Sequence, residues 1–111
     1  MAQVTIIKDE KAIEAALNAP KALIFKNSPL CPISSMAQRE FEIFAEQCDD
    51  TITLFMVDVV RDRELSREIA RRTNVDHQSP QVILLDKGKV AWSESHRKIT
   101  HTSIERNVDG N

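Results

Sequence analysis

The sequence predicts an α/β fold: a mixed central sheet flanked by helices, in the order β-α-β-α-β-α-β-β-α. Three observations predict it. Apolar runs without alternation recur at residues 22–25, 51–57 and 81–85, the pattern of strands buried on both faces. Segments between them carry apolar residues at helical spacing. A turn sequence, Asp86-Lys87-Gly88-Lys89, then divides two short apolar stretches, which predicts a hairpin at one edge. Strands separated by helices are expected to pair in parallel, so only this hairpin should be antiparallel.

Each element has its local reason. Residues 4–7 (Val, Thr, Ile, Ile) are β-branched and predict a short strand. Asp9 is placed to cap a helix whose apolar face is Ile13, Ala16 and Leu17, ended by Asn18-Ala19-Pro20. The buried strand 22–25 follows, and then a turn-rich segment, Lys26-Asn27-Ser28-Pro29-Leu30-Cys31-Pro32. Pro32 suits a first helical turn, where its missing N–H costs nothing. From there to about Asp49, the residues Ala37, Phe41, Phe44 and Cys48 form one stripe. After strand 51–57, a polar helix over 61–72 has a narrow seam of Leu65 and Ile69. Arg71 and Arg72 suit its C-terminal dipole, and Asn74 suits a left-handed closing position. Strand 81–85, the hairpin turn and a returning strand at 90–92 come next. Thr102 and Glu105 are spaced as a capping box for a last helix carrying Ile104 and Val108, with a ragged tail over 108–111.

A chain of 111 residues has room for one domain, expected to span 1–111, with its own core. Its 15 basic and 17 acidic residues nearly cancel, which argues against nucleic acid as a partner. Two unclustered glycines exclude a phosphate-cradling loop. Two cysteines exclude a disulfide-stapled fold, and no Cys/His grouping has zinc spacing. No apolar run approaches the roughly 20 residues of a membrane helix, and no secretory leader pattern stands at the start. The expectation is a cytoplasmic monomer whose thiols stay reduced.

Chemistry concentrates on Cys31. It follows a buried strand, so it stands at the edge where open α/β sheets build their sites. It precedes a helix, whose unpaired N–H groups and positive dipole end favour a thiolate. Pro29 and Pro32 bracket it. Cys48 lies seventeen residues further along the same helix, a rise of roughly 25 Å. Disulfide geometry requires Cα atoms within about 7 Å, so Cys48 cannot resolve Cys31 and reads as core filler. Ser79-Pro80 opens an apolar strand, an awkward place for a residue without an N–H. A cis bond would ease it, although only about 5–6% of such bonds are cis. His77 either reaches the mouth of the site, to steady a thiolate or bind an anion, or is a polar residue of a surface loop. Lys26 ends the strand leading to Cys31 and offers positive potential, although a solvated lysine is the usual case. His96 and His101 are expected in solvent.

Two stretches carry a family resemblance: Phe25-Lys26-Asn27-Ser28-Pro29-Leu30-Cys31-Pro32-Ile33-Ser34, and His77-Gln78-Ser79-Pro80-Gln81 about fifty residues later. With Glu68 to Val75, Ser95-His96 and Ile99-Thr100, they resemble the monothiol bacilliredoxins (YtxJ-like proteins) of the thioredoxin superfamily. The resemblance spans nearly the whole chain. It implies a thioredoxin-like fold with Cys31 as sole redox nucleophile and bacillithiol, a small thiol used by some bacteria in place of glutathione, as co-substrate. No tightly bound cofactor is implied. The implied reaction removes bacillithiol from mixed disulfides on client proteins. Pro32, Ser34, Ser79 and Pro80 would support the site, with Ser79-Pro80 as the cis-proline loop, and Lys26 and His77 would meet substrate. Leu30 departs from a Thr frequent in relatives, and Asn74 from a Gly.

A monothiol mechanism suits Cys31-Pro32-Ile33-Ser34. Ser34 can donate a hydrogen bond to a thiolate, but it cannot attack a mixed disulfide, so a second small thiol must release the adduct. Three other classes compete. Monothiol glutaredoxins, which hold iron–sulfur clusters, share the Cys-to-Ser spacing but have Gly-Phe between. Thiol peroxidases share a faint echo of Ser28 to Cys31 without the family's lead-in. A non-catalytic thioredoxin-like adaptor is the third.

Overall fold

In a computed structural model, which describes residues 3–110, the chain forms a five-stranded sheet with helices on both faces. In chain order the elements are β1 (Val4–Ile6), α1 (Glu10–Asn18), β2 (Lys21–Asn27), α2 (Pro32–Gln47), β3 (Thr53–Asp58), α3 (Arg63–Thr73), β4 (Gln81–Asp86), β5 (Lys89–Ser95) and α4 (His101–Asp109). A 3-10 turn, His96–Lys98, joins the last two. The sheet order is β1-β3-β2-β4-β5.

Strand alternation divides the core into two layers. Leu23 and Phe25 of β2 face Ala37, Phe41 and Phe44 of α2 and Ile104 of α4, and Phe25 stacks on Phe41 with ring centroids 5.0 Å apart. Ala22 and Ile24 face the other way, onto Ile13 and Ala16 of α1 and Ile69 of α3. The two faces of β2 are thus closed by different helix pairs. Its residues from Ala22 to Asn27 are all buried, which is why the sequence shows no alternation there.

The sheet differs from the expected pairing in one respect. β1, β3 and β2 are parallel, but β4 runs antiparallel to β2, with Lys26 opposite Gln81. The connection after α3 explains it. Residues 74–80 are enough extended chain, about 3.3 Å per residue, to run back along the roughly 16 Å of an 11-residue helix. β4 therefore starts at the edge where β2 ends. That reversal places the segment before Gln81 beside the segment after Lys26.

Caps mostly follow the local signals. Asp9 Oδ1 accepts from Ala12 N–H at 3.0 Å, and Asn74 closes α3 at φ 60°. Lys87 and Gly88 both have positive φ, as a tight hairpin of the primed kind requires. A Cβ on Gly88 would also stand 2.7 Å from the Leu17 carbonyl oxygen. The α4 cap is not the expected pair Thr102 and Glu105. Thr100 caps instead, its hydroxyl accepting from Ser103 N–H at 3.0 Å while Ser103 Oγ accepts from Thr100 N–H at 3.2 Å. A Ser at the third helical position can return the bond as a Glu does. The expected ragged tail is also shorter than 108–111: Val108 is buried and Asp109 closes α4, while Asn111 lies outside the described residues. Among the described residues no helix is long and apolar enough to cross a membrane.

Candidate functional site

β2 delivers its last residues to the sheet edge, and the chain turns at once into α2. Cys31 N–H donates to the Ser28 carbonyl at 3.0 Å, closing a four-residue turn with Pro29 and Leu30 at its corner. Cys31 is the N-cap of α2, with extended backbone, and Pro32 is the first helical residue. The Cys31 carbonyl accepts from Ser34 and Ser35 N–H. Its side chain makes no capping bond and is partly exposed. The sulfur therefore occupies the position from which a side chain meets the first free amides of a helix, where negative charge is favoured. Leu30, next to it in the turn, is 84% exposed and gives apolar surface.

Ser34 has a different task from the one expected of it. It is fully buried, and its hydroxyl donates to Asn27 Oδ1 at 2.8 Å while accepting from Ser28 N–H at 2.8 Å. Its one proton is thus engaged away from the thiol. Asn27 in turn donates to Gln38 Oε1 at 3.3 Å, and its carbonyl accepts from Val59 N–H at 2.9 Å. Asn27 is the hub of the turn, and sequence reasoning treated it only as a strand boundary. A short polar residue at a strand end is the one available signal.

The Ser79–Pro80 peptide is cis. Pro80 is buried at the start of β4, and its carbonyl accepts from His96 N–H at 3.0 Å. Ser79 is partly buried. The antiparallel register of β2 with β4 brings this loop and the Cys31 turn to the same sheet edge.

Lys26 and His77 meet on the opposite face of β2 from Asn27. Lys26 is fully buried, and its Nζ lies 3.1 Å from His77 Nδ1. Ser66 Oγ lies 3.3 Å from the same nitrogen. Loss of hydration lowers the Lys26 pKa to about 8. Desolvation, then the positive charges of Lys26 and Arg67, hold His77 below the usual histidine value. Nδ1 thus accepts from the ammonium, and the proton of the neutral ring sits on Nε2. Lys26 does not stand in solvent, where a lysine usually lies. Gln81, opposite it on β4, is also buried, and its Nε2 donates to the Asp76 carbonyl at 3.0 Å. Lys26 and Gln81 together clamp the segment leading to the cis-proline loop.

The remaining expectations divide. Cys48 is the C-cap of α2, partly buried against the core, with its thiol 3.7 Å from the Ala45 carbonyl. Desolvation chiefly, then the Asp49 charge, raises its pKa. His96 is exposed, but His101 is not simply in solvent. Its backbone N–H and its ring both meet Glu40 Oε1 at 2.8 Å, tying α4 to α2. These hydrogen bonds hold the Glu40 carboxyl below its ordinary value.

Known proteins resemble the chain in sequence and in fold. Residues 3–104 match the family model described as monothiol bacilliredoxin. The chain belongs to the monothiol bacilliredoxin family. A solved protein of thioredoxin fold, provisionally described as an oxidoreductase, is 28% identical over 96% of this chain and 94% of its own, with TM-score 0.85. A mutant thioredoxin from Halobacterium salinarum superposes with TM-score 0.78 at 12% identity, covering 97% of this chain and 89% of that one. Thioredoxin from Malassezia sympodialis gives 0.80 at 12% identity, covering 99% and 91%. At such identities the two thioredoxins speak for the fold. It is the thioredoxin fold, and family membership assigns this bacilliredoxin a thiol redox function.

Proposed function

We propose that the protein is a monothiol oxidoreductase that removes bacillithiol from mixed disulfides on client proteins, with Cys31 as its only nucleophile. The observation that carries this reading is the placement of the two thiols. Cys31 is a partly exposed N-cap at the edge shared with the cis-proline loop, whereas Cys48 is packed at the far end of the same helix.

The Cys31 thiolate attacks the bacillithiol sulfur of the mixed disulfide. A bond forms between these two sulfurs, the client–bacillithiol bond breaks, and the client leaves as a thiolate that takes up a proton. A second bacillithiol thiolate then attacks the bound bacillithiol sulfur. The products are bacillithiol disulfide and the Cys31 thiolate, so the electrons come from the small thiol. Ser34 cannot release the adduct, because a hydroxyl is not a disulfide partner. Its bonds to Asn27 and Ser28 instead brace the turn carrying Cys31. Leu30, adjacent to Cys31 in the turn, gives a client chain apolar surface. The reading places the protein in the cytoplasm, as a monomer without a bound cofactor, where small thiols keep it reduced.

Intact-mass measurement after incubation with oxidised bacillithiol tests it. One bacillithiol adduct is expected on the protein and on Cys48→Ala, and none on Cys31→Ala. An adduct on Cys31→Ala overturns the mechanism.

A further inference from the structure

Lys26 is an anomaly that the redox reaction does not use. A fully buried ammonium is ordinarily paired with a carboxylate, because removing charge from water is costly. Among the described residues no carboxylate forms an ion pair with it, and its partner is His77. The charges acting most strongly on His77, those of Lys26 and Arg67, are both positive.

In front of this pair lies a hollow of about 320 Å³, lined by Val59, Val60, Arg63, Ser66, Arg67 and His77. Arg63 is exposed and forms no ion pair among the described residues. Arg67 meets Glu64 at 3.1 Å, but both side chains are mostly in solvent, where such a pair holds weakly. Ser66 is buried and turned to His77. With Nδ1 accepting from Lys26, His77 has its Nε2–H free to donate. The walls thus supply two guanidinium groups and a neutral imidazole donor, backed by a buried charge without a counterion.

We infer that this hollow is an anion subsite that takes a carboxylate of a reacting partner, with Arg63 and Arg67 as its charged arms and His77 as a third donor. Arginine suits a carboxylate because its planar donors can bind it in bidentate fashion. The hollow belongs to the reactive edge of the sheet. Val59, in its wall, donates to the carbonyl of Asn27 at 2.9 Å, four residues before Cys31, and His77 stands three residues before Pro80. It lies on the α3 side of that edge, with the α2 helix and its thiol on the other. The carboxylate comes from the small thiol or from an acidic side chain of the client. That assignment to a reacting partner rests on the exchange chemistry proposed for Cys31, but the subsite itself does not.

Succinate titrated into the reduced protein at constant ionic strength, with the His77 ring followed by nitrogen–proton NMR, provides the test. A saturable shift of the His77 signals is expected, with succinamide, the neutral analogue, giving none. Arg63→Ala with Arg67→Ala removes only exposed side chains, so the fold survives, and succinate should bind at least about tenfold more weakly. No saturable shift, an equal shift with succinamide, or undiminished binding by the double variant overturns the subsite. These readouts need no reaction at Cys31, so they stand if the bacillithiol adduct fails to form. Repeating the titration on protein carrying that adduct separates the sources. Lost succinate binding supports a small thiol filling the hollow, and retained binding supports a client's acidic residue.

Discussion

Cys31 and Cys48 show how place in a helix decides what one residue type does. Both belong to α2, one as its N-cap and one as its C-cap. At the N-terminal end the helix leaves its first amides without backbone partners, and Cys31 is partly open to solvent. At the other end desolvation and Asp49 oppose ionisation. Iodoacetamide at about pH 7.5, roughly one unit below the ordinary cysteine pKa, should label Cys31 well before Cys48, whose ionisation is opposed. Peptide mass spectrometry over time reads the two rates, and equal labelling would remove the distinction. Ser34 makes the complementary point, since its hydroxyl is consumed by Asn27 and Ser28. Ser34→Ala leaves the part-buried Ser28 amide and the buried Asn27 side-chain oxygen without that partner. The expected cost is about 1–3 kcal/mol in urea unfolding, with slower exchange at Cys31 as the turn loosens. Unchanged stability would mean that the hydroxyl does not brace the turn.

At the scale of elements, the caps make a prediction about α4. Thr100 and Ser103 hold its N-terminus, while Thr102 is exposed. Thr100→Ala should cost about 1 kcal/mol and Thr102→Ala less than about 0.5 kcal/mol, measured by thermal or urea unfolding. The reverse order would restore the cap that spacing alone suggested. Each pair is a hydroxyl followed three residues later by a polar side chain, and only Thr102 with Glu105 has the usual Glu of a capping box. Only the approach of the chain from Ile99, buried in the core, chooses between them. The same divide runs through the molecule. Strands β2, β3 and β4 and helices α1, α2 and α3 were legible because their apolar residues follow the period of the element. The direction of β4 was not, because it depends on how far residues 74–80 reach. The Asn27–Ser34 bridge and the Glu40–His101 tie were also hidden. They join residues through the fold, and short polar side chains near turns look alike in a sequence. Least legible was the burial of Lys26: a lysine ending a strand normally reaches water, and here β4 and the His77 segment cover it.

For the whole molecule, that covered lysine makes stability depend on pH in a definite direction. The Lys26 pKa is about 8 in the folded protein and 10.5 as a free lysine. Below about pH 8 both states carry the proton, and the folded state bears the full penalty of holding a buried charge. Between these two values the unfolded chain binds more protons than the folded one, so stability rises with pH, by at most about 1.4 kcal/mol per pH unit. Cys48 pulls the other way, because its raised pKa makes the folded state keep a proton longer as pH increases. Comparison with Lys26→Met removes that contribution, since both proteins contain Cys48. The variant replaces an unpaired buried charge with an apolar chain of similar length, a change that often leaves a protein equally or more stable. It should match or exceed the parent in urea unfolding at neutral pH. Its advantage should then shrink steadily from about pH 8 upward, as the parent sheds the proton that burial disfavours. A stability difference independent of pH over that range would mean that Lys26 is not held against its charge. The anion subsite gives the same curve a second handle. A bound carboxylate stabilises the ammonium, so succinate should raise the parent's stability most below about pH 8 and leave Lys26→Met far less affected.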